Sequence, residues 1–216
     1  MLLAIDTASR LMSAALLDEG GLLAEQTIFS NNQHTVQLTE MIRQLLAQLE
    51  RPIHDLRVLA VAQGPGSFTG LRVGFGVAKG LASACGLPLI AVPTLDIIAA
   101  GTPCFDGALL AVIPAGRKRI HAGRYRESAG RWQAEDSPVN RQWMELLSEL
   151  SVPVLFNGEI DAQGREYLEN TGHRLLESGW RLRRAGFLAQ IAWEQYQAND
   201  FEKDISKVNP IYLREP

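Results

Sequence analysis

The side chains best suited to chemistry lie at two places in the first half of the chain. Asp6 ends a short apolar run, Met1–Asp6 (MLLAID), with Thr7 after it and Ser13 across a turn. A carboxylate at a strand end beside hydroxyl-bearing residues can orient Mg²⁺ and phosphate. The same residues suit an Asx-type turn that holds a hairpin. The second place is Gln63–Gly86, QGPGSFTGLRVGFGVAKGLASACG, entered from the apolar run Val58–Ala62. Strand, glycine-rich turn and helix in that order leave N–H groups at a helix N-terminus, which can hold an anion. Gly64 and Gly66 supply backbone freedom, Pro65 fixes φ between them, and Ser67 or Thr69 can cap the helix.

Spacing narrows the chemistry. A P-loop needs two glycines five apart followed by Lys and a hydroxyl, but Gly64 and Gly70 are one residue too far apart and Leu71 stands at the Lys position. The dinucleotide fingerprint and the nucleophile elbow both need glycine at 69, where Thr69 stands. His34, His54, His121 and His173 are not spaced as helical metal pairs, and Cys85 and Cys104 lack metal spacing, so no metal is expected. Cys85 reads as a small buried hydrophobe. Arg117, Lys118, Arg119, Arg124, Arg126 and Arg131 form the basic cluster of the chain. It reads either as a solvated hairpin or as a contact for a phosphate backbone.

The elements that must position these residues follow from periodicity. Met1–Asp6, Met12–Leu17 and Leu22–Phe29 are strands on short turns, an antiparallel meander. Ser30–His34 is a polar loop. Thr35–Glu50 is an amphipathic helix whose apolar arc holds Leu38, Met41, Ile42, Leu45, Leu46 and Leu49. Val58–Ala62, the helix from Thr69 to Gly86, Pro88–Val92 and a helix from Thr94 to Ala100 continue the order, giving β-β-β-α-β-α-β-α and a mixed sheet with helices on its faces. The Thr69–Gly86 helix is apolar nearly all round, with Arg72, Lys79 and Ser83 on one stripe. Gly70, Gly74, Ala78 and Ala82 recur every fourth residue. Gly74, Gly76 and Gly80 together cost about 3 kcal/mol against Ala. Close approach of another element compensates: this chain's own sheet, or a partner's helix.

The second half opens with Ala108–Ile113, which pairs with Arg119–Arg126. Helices are expected over Gln142–Leu150, Ala162–Asn170 and Gly186–Ala198, a strand over Val152–Phe156, and a short extended tail over Pro210–Arg214. Charge and all four tryptophans concentrate in this half of the 216 residues. A boundary is therefore expected at Gly101-Thr102-Pro103, with subdomains 1–102 and 103–216. Net charge is −3, too balanced to imply nucleic-acid binding by itself. Asp6 interrupts the first apolar run before it reaches signal-peptide length, which points to a cytoplasmic chain.

Two stretches, AIDTASRLMSAALLDEGGLLAE (Ala4–Glu25) and QGPGSFTGLRVGFGVAKGLA (Gln63–Ala82), carry a resemblance to the TsaB family. His34-Thr35, Pro93-Thr94-Leu95 and Pro210-x-Tyr212-Leu213-Arg214 also fit it. The resemblance implies an actin-like/sugar-kinase/Hsp70 ATPase fold of two related α/β subdomains. It implies a dimerisation subunit that pairs with its paralogue TsaD and with TsaE to transfer a threonylcarbamoyl group to the adenosine beside the anticodon of tRNA. It also implies homodimers, with the paired surface on helices 35–50 and 69–86. On those helices the interface is expected at Leu38, Ile42, Leu45, Gly70, Gly74, Ala78 and Ala82.

The expected role is non-catalytic. TsaD holds metal partly through an H-x-x-x-H pair, and Ser30 stands four residues before His34. In ATP-using relatives the second subdomain opens with a strand ending in Asp. Here Ile113-Pro114 stands at that place, and Pro114-Ala115-Gly116 departs from the family's Asp-Ala-Arg. Asp6, Thr7, Gly64, Gly66 and Ser67 are then a vestigial nucleotide-type site. No tightly bound cofactor is expected, and ATP binds only at low affinity or in the complex. The rival reading is a stand-alone ATPase or small-molecule kinase using Asp6 and the Gly64–Gly70 turn. A protease ranks below it.

Overall fold

Leu2–Asp6 is buried at every position because the strand it forms, β1, lies inside a sheet covered on both faces. The computed structural model describes residues 1–30, 34–169 and 171–213. The expected loop over Asn31–Gln33, the His34 side chain and Arg214 of the tail lie outside the described residues. The chain divides into two units, one of residues 1–97 and 184–211 and the other centred on 98–183.

In the first unit, β1 pairs antiparallel with β2 (Leu11–Asp18), and β2 with β3 (Gly21–Phe29). The chain crosses through α1 (His34–Gln48) to β4 (Val58–Ala62), through α2 (Phe68–Cys85) to β5 (Leu89–Val92), and then enters α3 (Thr94–Ala100). β4 runs parallel to β1, and β5 parallel to β4, so the sheet order is β3-β2-β1-β4-β5. This is the element order expected from the sequence.

Side chains alternate across a strand, so each face has its own set. Leu3, Ile5, Met12, Ala14, Leu16, Leu59 and Val61 pack with Leu38, Met41, Ile42 and Leu45 of α1 and Phe75, Ala78 and Ala82 of α2. α2 is capped at its start by Ser67, whose Oγ accepts from the Gly70 N–H at 3.2 Å. It ends at Gly86, which takes the left-handed φ of 64° that a non-glycine side chain would resist.

The second unit contains β6 (Ala108–Gly116), β7 (Arg119–Ser128), β8 (Arg131–Ala134) and β9 (Val139–Gln142), then α4 (Trp143–Ser148), β10 (Leu155–Gly158), α5 (Ala162–Glu169) and β11 (Arg174–Leu175). Its sheet runs β11-β10-β6-β7-β8, with β9 also paired to β7. Its core gathers Leu110, Val112, Ile120, Ala122, Trp143, Leu146, Phe156 and Leu168. Arg183, almost fully buried, is ion-paired with Glu159.

The chain then forms α6 (Ala185–Gln197), which packs on β1 and β2 of the first unit. This corrects the expected division into 1–102 and 103–216. Ala185, Leu188, Ala189 and Ala192 fill the face of the first sheet opposite α1 and α2. A helix's apolar stripe does not encode which sheet it covers, so a composition shift at residue 102 could not reveal the return. β6 also runs on to Gly116, with Pro114 paired opposite Ile120, rather than ending at Ile113-Pro114. The short polar strands β8 and β9 have no counterpart in the expected elements.

Candidate functional site

The turn after β1 and the turn before α2 meet. Asp6 is fully buried, and its Oδ1 accepts from the Ala8 N–H at 2.9 Å, which closes an Asx turn. The Thr7 hydroxyl donates to the Gly70 carbonyl at 2.7 Å. The Ser67 N–H donates to the Ala8 carbonyl at 2.6 Å. Gly64 exchanges hydrogen bonds with Thr94: its N–H meets the Thr94 hydroxyl at 3.0 Å and its carbonyl accepts the Thr94 N–H at 2.9 Å. The Gly64–Pro65 peptide is cis. Asp6, Thr7, Gly64, Gly66 and Ser67 are therefore brought together, and each of these polar groups is joined to a neighbouring loop of the same unit.

The glycines explain that junction. A Cβ on Gly66 would strike the Ala8 carbonyl, and on Gly70 the Thr7 carbonyl. On Gly74 it would strike Thr7 Oγ1. The first turns of α2 thus lie directly against the end of β1, and the row of Gly70, Gly74, Ala78 and Ala82 faces the chain's own sheet.

The expected interface residues are corrected accordingly. Leu38, Ile42, Leu45, Gly70, Gly74, Ala78 and Ala82 are all buried in the first unit's own core. None of them presents a surface. The outer side of α2 carries a second small-residue row with the same spacing, Arg72, Gly76, Gly80 and Ala84, all exposed. Half-buried Val73, Val77 and Leu81 flank it. Nothing lies within 4 Å of where a Cβ would sit on Gly76 or Gly80. Arg72 stacks over the exposed Phe68 ring at 5.0 Å. α1 contacts α2 and adds Thr39, Glu40, Arg43, Gln44 and Ala47 to the outer surface. There Arg43 and Gln44 hold the Glu40 carboxyl down to about 2 through hydrogen bonds at 2.6 and 2.7 Å.

The sequence held a sign of this outer row. At 100° per residue Gly76 falls about 40° from Arg72, whereas Gly74 falls about 160° away. The polar stripe marks the solvent side, and Gly76 lies beside it. Cys85 is exposed at the end of the same helix, not buried as expected, and Cys104 is exposed as well.

The basic cluster is mostly neutralised within its own unit. Arg124 and Arg126 both bind Glu135, at 2.7 and 2.5 Å. Arg119 donates to Asn140 Oδ1 at 2.8 Å and to its carbonyl at 2.9 Å. His121 is buried on β7, and burial pushes its imidazole down to about 4. Among the described residues no group of three or more His, Cys, Asp or Glu is placed to hold a metal ion. No described helix is long and apolar enough to cross a membrane.

Comparison with known proteins adds the lineage of this arrangement. The model of the TsaD family, tRNA N6-adenosine threonylcarbamoyltransferase, matches residues 18–146. The tRNA threonylcarbamoyladenosine biosynthesis protein TsaB of Bacillus subtilis is 32% identical over 172 residues, 78% of this chain and 75% of that one. The chain belongs to the TsaB family. The TsaB of Haemophilus influenzae is 30% identical over 99% of this chain and 93% of its own length. A crystal structure from Pseudomonas aeruginosa, of a protein described as similar to the peptidase YEAZ, superposes with a TM-score of 0.81 at 28% identity, covering 99% of both chains. The two helix-flanked sheets are thus the actin-like α/β architecture that the TsaB resemblance implies. TsaB membership puts the chain in tRNA threonylcarbamoyladenosine biosynthesis.

Proposed function

We propose that this TsaB-family chain is a non-catalytic subunit that docks a TsaD-type paralogue through the outer face of α1 and α2. The observation that carries the reading is the open pair Gly76 and Gly80. Each glycine in an exposed helix interior costs about 0.8–1 kcal/mol against Ala. Nothing in the chain itself calls for glycine there, because a Cβ would point into open space. A partner's helix lying close against the row gives the missing reason. The TsaD family model spans α1 and α2 of this chain, residues 18–146. A TsaD-type partner therefore offers a matching helix pair, and two such pairs meet by pseudo-two-fold symmetry. A second copy of this chain uses the same face and so competes with the paralogue. In this reading the assembled complex works on tRNA in the cytoplasm, with TsaE as a further component.

The engaged state of the Asp6–Ser67 junction supports the non-catalytic half of the proposal. Asp6 closes its own turn and the Thr7 hydroxyl is committed to α2. Pro114, exposed on β6, offers no carboxylate to a metal. ATP then binds weakly at most, or only in the complex. Reconstitution tests the proposal. Threonylcarbamoyl transfer to tRNA by the TsaD-type paralogue with TsaE should require this chain, while the purified chain alone should neither transfer nor hydrolyse ATP. ATP hydrolysis by the chain alone, lost in Asp6→Ala, would replace this reading with the stand-alone ATPase.

A further inference from the structure

The β6–β7 hairpin turns through two residues, Arg117 and Lys118, between the paired Gly116 and Arg119. Both take left-handed φ, 50° at Arg117 and 62° at Lys118, following Gly116 at 77°. Positive φ at both central positions is the requirement of a type I′ turn, which strongly favours Asn-Gly or another glycine pair. Long L side chains crowd the backbone there. Two successive cations in that conformation weaken the hairpin, and strain of this kind concentrates where side chains have a task. The hairpin's other tight turn follows the ordinary chemistry: Ala129 is followed by Gly130, with φ of 53° and 78°.

The charge distribution points the same way. Arg119, Arg124 and Arg126 are occupied by Asn140 and Glu135. Lys118 has no ion-pair partner among the described residues, and both turn residues are exposed. No large apolar side chain is exposed from Pro114 to Ile120. A protein-docking surface is normally centred on apolar and aromatic contacts and depleted in Lys. A bare pair of cations on a projecting turn is instead the form of a phosphate contact, which positions without reading sequence.

We propose that the Arg117-Lys118 turn is a contact for the phosphate backbone of RNA, used when the assembled complex holds tRNA. The inference rests on the function proposed above, because the RNA is that of the pathway.

The test compares the complex of this chain and its TsaD-type paralogue with the same complex carrying R117N/K118G. That variant gives the turn its preferred residues, so folding is protected, and Tm should rise by roughly 2–4 °C. Affinity for tRNA should fall several-fold at 0.15 M salt. The slope of log K against log[salt] should shrink by about 1–2, as expected for two lost phosphate contacts. R117Q/K118Q keeps non-glycine residues in the turn and should lose the same affinity without the gain in Tm. Unchanged affinity and slope in R117N/K118G would overturn the assignment. So would weakened co-elution with the paralogue and normal tRNA binding by whatever complex still forms, since the turn would then contact protein. If the unsubstituted complex forms but shows no salt-dependent tRNA binding, the RNA contact falls and the docking proposal stands. If no complex forms at all, both fall.

Discussion

The Thr7 hydroxyl donates to the Gly70 carbonyl at 2.7 Å, tying the turn after β1 to the first turn of α2 across 63 residues of sequence. The bond exists because Gly66, Gly70 and Gly74 let the helix lie directly on Thr7 and Ala8. A glycine turn whose outline suggests a phosphate cradle is thereby filled by the protein's own backbone and hydroxyl.

That junction predicts a steep size limit at Gly74. Gly74→Val would push side-chain atoms into Thr7 Oγ1, and overpacking of this kind costs about 1–3 kcal/mol. The measurement is the urea midpoint of the purified chain. Thr7→Ala removes the obstructing hydroxyl, so the double variant should recover part of the loss; strictly additive losses would show that the two residues do not share a contact.

His121 predicts a pH dependence. Burial lowers its folded pKa to about 4, against an unfolded value of 6.5. The neutral form is favoured in the fold, so its contribution is complete above pH 6.5 and is lost as pH falls toward 4. Between pH 7.5 and pH 5 the loss is about 2 kcal/mol. Urea unfolding at the two pH values measures it. His121→Phe should flatten the difference, and a variant with the same acid sensitivity as the parent would assign that sensitivity to other groups.

Much of the first unit was legible because its strands and helices carry clean periods. Leu38 to Leu49 repeats as one helical stripe, and Val58–Ala62 leads into a turn built from Gly64, Pro65 and Gly66. What was not legible depends on tertiary choice. α2 carries two small-residue rows with the same four-residue spacing, and only packing on Thr7 and Val61 selects Gly74 and Ala78 for the inside. α6 is amphipathic whichever sheet receives it. β8 (RWQA) and β9 (VNRQ) are too short and polar to show alternation, and they form because β7 offers them an edge. The Arg117-Lys118 turn lacks the Gly or Asn that marks such a turn in sequence.

The docking claim is tested most directly by one charge placed on either row of α2. Gly80→Glu lies outward in open space and should keep or slightly raise stability, since Glu is the better helix former. Ala78→Glu buries a carboxylate in the core and should cost several kcal/mol. The decisive measurement is size-exclusion co-elution of folded Gly80→Glu with the TsaD-type paralogue. The account predicts that the pair separates into two peaks while thermal stability is unchanged. A folded Gly80→Glu chain that still co-elutes with the paralogue at the parent's concentration dependence would contradict it.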